Sequence, residues 1–175
     1  MKKIFLTAIF TTFVLPFFLG CSTTVKQNDL MPATAATGTA ATIKLQRNKV
    51  IYVLPSQDGI FDGRTYIGTG ASVADMFVAN LRPYAAKVQL ATEGNIPQDA
   101  YYVVKPTILH WEPRAAAWSG ISTKVEINVS ITNATGGVEV INKSIQVSGR
   151  NVTFVSQSAD ALAQYVIKDF CSSIF

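Results

Sequence analysis

The order of predicted elements places this chain in the α/β (α+β) class, as a mixed, mainly antiparallel sheet with two helices packed on one face. Three observations carry that expectation. An unbroken apolar run at Val50 to Leu54 reads as a buried strand, and Ser122 to Thr132 alternates strictly between apolar and polar residues. Two further stretches, after Ser72 and after Ser158, space their apolar residues as helices do. The resulting order is β-α-β-β-β-β-(β)-α.

Taken in sequence, Lys49 to Leu54 is the first strand of the folded part, stopped by Pro55. Pro55 to Gly70 holds Gly59, Gly63, Gly68 and Gly70 without a clean period, too long for an ordinary connection, and loops of that length are often functional. Its Asp58-Gly59 and Asp62-Gly63 pairs are turn chemistry first. Ser72 and Asp75 stand at capping-box spacing, and Val73, Met76, Phe77, Asn80 and Leu81 follow at helical intervals, so a helix is predicted from there to just before Pro83. Lys87 to Ala91 alternates as a second strand. After the Glu93 to Asp99 turn region, Tyr101 to Leu109 is rich in aromatic and β-branched residues and reads as a central strand. Pro106 inside it demands a bulge or an edge position.

Within Ser122 to Thr132, Val125, Ile127, Val129 and Ile131 face one way, toward the core. Gly136-Gly137 supplies a turn, and Val138 to Val147 returns with a change of parity near Val140 and Ile141, the mark of a bulged hairpin. Val152 to Val155 is a candidate short strand. Ala159, Leu162, Ala163, Val166, Ile167, Phe170, Cys171 and Ile174 then mark a helix starting near Ser158.

The chain has 175 residues, which suits one folded domain, at 44–175. Before it, Ser22 to about Thr42 is mostly Thr, Ala, Ser, Asn and Gly, a composition that buries too little apolar area to fold. It reads as a flexible tether with a typical span of roughly 25 Å. Residues 1–20 read as a signal peptide: Lys2 and Lys3 open a run from Ile4 to Leu19 that carries no charge. Removing the two leader lysines takes the formal charge from +4 to +2. That balance does not suggest nucleic-acid binding, which needs a basic stripe or patch.

Phe18-Leu19-Gly20-Cys21 resembles the cleavage box of bacterial lipoproteins, in which Cys21 becomes the acylated first residue of the mature chain. The resemblance implies three acyl chains, past the two-signal threshold for a stable membrane anchor. Ser22 stands where an aspartate would retain such a protein at the inner membrane, so the resemblance points to the periplasmic face of the outer membrane. Cysteine arithmetic agrees: with Cys21 in a thioether, Cys171 has no intramolecular partner and reads as a buried, inert thiol, with an intermolecular bridge as the alternative.

The most unusual constellation is His110-Trp111-Glu112-Pro113-Arg114 followed by Trp118-Ser119-Gly120, which gathers the single histidine and both tryptophans at the end of a strand. With Pro106 to Leu109 before it, Val53 to Gly59 and Tyr66 to Gly70, it resembles a bacterial lipoprotein family described only as a domain of unknown function. That resemblance implies location and kinship of fold, and no activity.

Trp111, Trp118 and Arg114 are residue types enriched at binding hot spots, and together with His110, Glu112, Asp58, Asp62 and Tyr66 they form the candidate interaction surface. The competing reading is that both tryptophans cap the core. One histidine and a distant cysteine make a poor zinc set, and Asp58, Asp62 and Glu112 lack the alternating oxygens of a calcium loop, so no metal and no cofactor is expected. His110 with Glu112 is conceivable as an acid–base pair, but no nucleophile accompanies it, and a structural pair is favoured. Gly68-Thr69-Gly70 lacks the third glycine of a phosphate-binding turn and reads as helix capping. The expectation is a non-catalytic, lipid-anchored module that binds an envelope protein. The alternative is binding or hydrolysis of cell-wall glycan or peptide, which would need paired carboxylates at a defined separation.

Overall fold

The computed structural model describes residues 24–29 by their backbone and residues 44–113, 122–149 and 158–175 in full. Strands β1 (Thr24–Asp29), β2 (Val50–Val53), β5 (Lys87–Leu90), β6 (Tyr102–Glu112), β7 (Lys124–Asn133) and β8 (Val138–Ser148) form one sheet in the order β1-β8-β7-β6-β2-β5. β3 (Gly59–Phe61) and β4 (Arg64–Tyr66) form a separate hairpin, and the helices are α1 (Thr69–Leu81) and α2 (Ala159–Ser173). β2 runs parallel to both β5 and β6, while β6-β7, β7-β8 and β1-β8 are antiparallel. The mixed, mainly antiparallel α+β class is therefore the observed one, with both helices on one face.

That face holds the core. Val125, Ile127, Val129 and Ile131 of β7 are buried there with Ile145 and Val147 of β8, under Val73, Phe77 and Leu81 of α1 and Leu162, Val166 and Phe170 of α2. Phe77 and Phe170 meet edge to face at 6.3 Å between the two helices, a geometry that favours the ring quadrupoles. Cys171 is buried among them, and that burial pushes its thiol up to about 12. Polar residues of β7 and β8 occupy the opposite face, as an antiparallel sheet with one solvated side allows. Near β2 that face carries a small second cluster, Tyr52, Leu54, Ala100 and Val103.

Four expectations change. A strand, β1, lies inside the segment read as tether. Its backbone pairs with β8 from Thr24 opposite Ser148 to Asp29 opposite Lys143, and this covers an edge that would otherwise present unpaired amides. Composition gave no sign of it, because pairing to a preformed edge needs no apolar run. Second, the Pro55 to Gly70 loop contains the β3-β4 hairpin. Asp62 (φ 51°) and Gly63 (φ 69°) both adopt the left-handed region, the requirement of a two-residue turn whose twist matches its strands.

Third, α1 starts at Thr69 and not at Ser72, whose amide already donates to the Gly68 carbonyl at 3.0 Å. The Ser72/Asp75 capping box is therefore not formed. Fourth, β6 runs past Leu109 to Glu112, with a register shift between Ile108 and His110. Pro106 sits at an edge as expected, since Leu54 N bonding Val104 O and Ile108 N bonding Ser56 Oγ place its missing N–H on the side where β2 has ended. The bulge in β8 falls where parity predicted, leaving Val140 extra between the Ile131–Ile141 and Thr132–Glu139 pairs. The candidate strand Val152 to Val155 lies outside the described residues. The two ends of the domain meet, Leu45 N donating to Ile174 O at 2.7 Å.

Candidate functional site

The bulge at Leu109 decides what the His110 segment can do. Along β6, Tyr102, Val104 and Ile108 point into the helix-covered core. Unbroken alternation would send His110 and Glu112 there too. One extra residue reverses the parity. Trp111, opposite Val125, turns into the core at 2% exposed, whereas His110, opposite Glu126, and Glu112, opposite Lys124, face the other side. Trp111 is thus removed from the expected interaction surface, its size being used to fill the end of the core against Gly59.

His110 Nε2 and Glu112 Oε2 are 2.7 Å apart, with Glu112 5% exposed and the Phe61 ring edge-on to the imidazole at 5.6 Å. A buried carboxylate needs such a partner. Asp58 lies elsewhere: its Oδ1 accepts from Gly70 N at 2.9 Å and its Oδ2 from Gly68 N at 3.1 Å. It supplies from ten residues upstream the cap that α1 lacks locally, and its charge faces the positive end of the helix. Asp58→Ala is expected to cost about 1–2 kcal/mol, and Asp58→Asn less, in urea unfolding; equal midpoints for all three proteins would remove this role.

Thr69 Oγ1 completes the knot, accepting from Gly59 N and donating to Tyr66 O, both at 2.8 Å. Asp62 is exposed at the hairpin turn, and Tyr66 is half-buried against the core. Arg114, Trp118 and Cys21 lie outside the described residues. The structure therefore brings His110 and Glu112 together, and commits Asp58 to the start of α1. Among the described residues no group of three His, Cys, Asp or Glu side chains is placed to hold a metal.

Among the described residues, cavities open at both ends of the sheet. One, of about 610 Å³, opens where β6 ends and α2 begins, between Tyr66, Ile67, Trp111, Pro113, Thr123 and Ser158. The other, of about 550 Å³, lies at the opposite end, over Leu54, Ala100 and Val103, walled by Ile96 and Pro97 and rimmed by Lys105. Lys105 Nζ is held by Glu93 at 2.7 Å. The wall is fixed by a network that sequence reading missed: the Tyr52 hydroxyl accepts from Lys87 at 3.0 Å and donates to Asp99 at 2.9 Å, and Lys87 reaches Asp99 at 3.1 Å. The Tyr52 hydroxyl and then Asp99 hold the Lys87 ammonium above its ordinary pKa. Lys87, then Tyr52, hold Asp99 below the usual range. Only the alternation of Lys87 against Val88 hinted at this, by turning Lys87 to the Tyr52 side.

No family model matches the chain, and no curated protein is similar to it. Solved structures are. PelC from Paraburkholderia phytofirmans, described as a dodecamer, is 18% identical with a TM-score of 0.62 over 87% of this chain and 97% of that one. A protein of Xanthomonas campestris from the uncharacterised family DUF330 is 12% identical with a TM-score of 0.46 over 78% of this chain and 86% of its own. A lipoprotein from Neisseria meningitidis is 17% identical with a TM-score of 0.41 over 71% and 99% respectively. The likeness to PelC is one of fold; the other two overlay too loosely to carry an argument.

Proposed function

We propose that this chain is a lipoprotein held by acylated Cys21 on the periplasmic face of the outer membrane, where it serves as a non-catalytic assembly module. It associates with copies of itself and with an envelope protein. The observation that carries this reading is the placement of the chemistry-bearing side chains. Among the described residues neither cavity is lined by His110, Glu112, Asp58 or Asp62, and Asp160 is the one carboxylate at either, so the pair of carboxylates a hydrolase would need is not gathered there. Each of His110, Glu112 and Asp58 instead holds part of the fold. The likeness to a dodecameric protein across nearly its whole length supports self-association, since closed symmetric assembly is the common outcome for such subunits.

Crosslinking in isolated outer membranes, followed by mass spectrometry, tests it. The expected result is a ladder of self-crosslinked species or a crosslinked envelope protein, retained in Glu112→Gln, with palmitate label lost in Cys21→Ala. Muropeptide release by the purified protein that disappears in Glu112→Gln would overturn it in favour of a cell-wall hydrolase. Monomer alone, with no crosslinked neighbour, would also sink it.

A further inference from the structure

The register of β1 bears on how the domain meets the lipid. Thr24 pairs with Ser148, Ser148 with Lys124, and Lys124 with Glu112, so β1 begins at the end of the sheet where β6 and β8 finish and β7 starts. Only Ser22 and Thr23 separate Cys21 from Thr24, a reach of at most about 10 Å. Paired β1 therefore takes up most of the slack that a free segment up to Thr42 would leave.

The same end carries an unusual side chain. Ile67, between Tyr66 and Gly68, is 91% exposed, and it lines the cavity that Trp111, Pro113, Thr123 and Ser158 share. Ile60 is 64% exposed on the same hairpin, opposite Thr65, which also lines that cavity. A single bare isoleucine is ordinary on a protein surface. One beside a lipid anchor of such short reach has apolar material within range. The opposite end of the sheet, marked by Ile96 and Asn133, is ten residues of β6 away, about 33 Å.

We infer that β1 draws the anchor up to the sheet, so that the end formed by Glu112, Lys124 and Ser148 rests on the bilayer and Ile67 enters the lipid interface. This rests on the reading that Cys21 is acylated. The occupant of the Ile67 surface is the headgroup and upper acyl region of the membrane. An amphipathic element buries its apolar tip there while its polar parts stay wet.

The experiment uses the full-length acylated protein in vesicles of phosphatidylethanolamine and phosphatidylglycerol, with a fluorophore on Ile67→Cys or, separately, Ile96→Cys. Cys171 is buried with its thiol pushed up to about 12, so labelling goes to the introduced cysteine. Lipids carrying a nitroxide near the headgroup should quench most of the emission at position 67 and leave position 96 unchanged. Lys26→Pro with Gln27→Pro breaks β1, because one of two consecutive residues must direct its N–H to β8; quenching at 67 should then be lost. If that variant misfolds, a Gly/Ser insertion of about twenty residues between Cys21 and Thr24, spanning roughly 25 Å, removes the constraint without touching the sheet and should do the same. Equal quenching at both positions, no quenching at 67, or quenching that survives the insertion overturns the inference alone. Mass spectrometry of the Cys21 peptide separates the two claims: a bare thiol there removes the anchored reading and this one together.

Discussion

Trp111→Ala is expected to lower the unfolding free energy by about 3–5 kcal/mol. The ring is 2% exposed in the main core, and its Cβ and Cγ lie so near Gly59 that a methyl group there would sit 2.5 and 2.9 Å from them. Removing the indole leaves a hole against Gly59, which has no side chain to fill it. Because Trp111 also borders the cavity of about 610 Å³, water can enter, which favours the lower half of that range. A domain of this kind has about 5–15 kcal/mol in total, so the midpoint of urea unfolding should fall steeply with little change in slope. Partner binding, if lost in this variant, would then be lost through folding. An unchanged midpoint would return Trp111 to the surface.

Gly70→Ala should cost about 3 kcal/mol through overpacking, although alanine is the better helix former and by propensity alone would stabilise by about 1 kcal/mol. The competing terms are easily ranked. A Cβ at Gly70 would lie 2.2 Å from the Ser56 carbonyl oxygen and 2.9 and 3.0 Å from the carbonyl carbons of Ser56 and Gln57. These are backbone atoms with no rotamer to change. Either α1 moves away, giving up both amide bonds to Asp58, or residues 56–58 leave the edge of β6. Thermal unfolding that falls by many degrees confirms the close approach; a gain in stability would show that α1 is free to shift.

What could be read from sequence divides along physical lines. β7 and α2 were legible because their patterns have one cause: Val125, Ile127, Val129 and Ile131 face a core at period two, and Leu162, Val166 and Phe170 at helical period. The start of α1 was misplaced because its cap comes from Asp58, a tertiary contact that Ser72 and Asp75 imitate locally. The Asp62-Gly63 turn was recognised, but its strands are three residues each, too short to show a period. At the candidate site, the His110–Glu112 pairing was legible from their spacing. The burial of Trp111 was not, since a bulge at Leu109 reverses the parity on which any reading of strand faces depends.

The bond from Leu45 N to Ile174 O has an outcome for how the chain can be cut and rejoined. The domain's beginning and end lie side by side, so the ring of elements is closed in space although the polypeptide is linear. Linking Phe175 to Lys44 through a short spacer and opening the chain in the Ala134 to Gly137 turn would keep β2, β5, β6, β7 and β8 beside one another, while β8 would give up β1, which precedes the new junction. The order of β2, β5, β6, β7 and β8 in the sheet is thus independent of which of them the chain begins with.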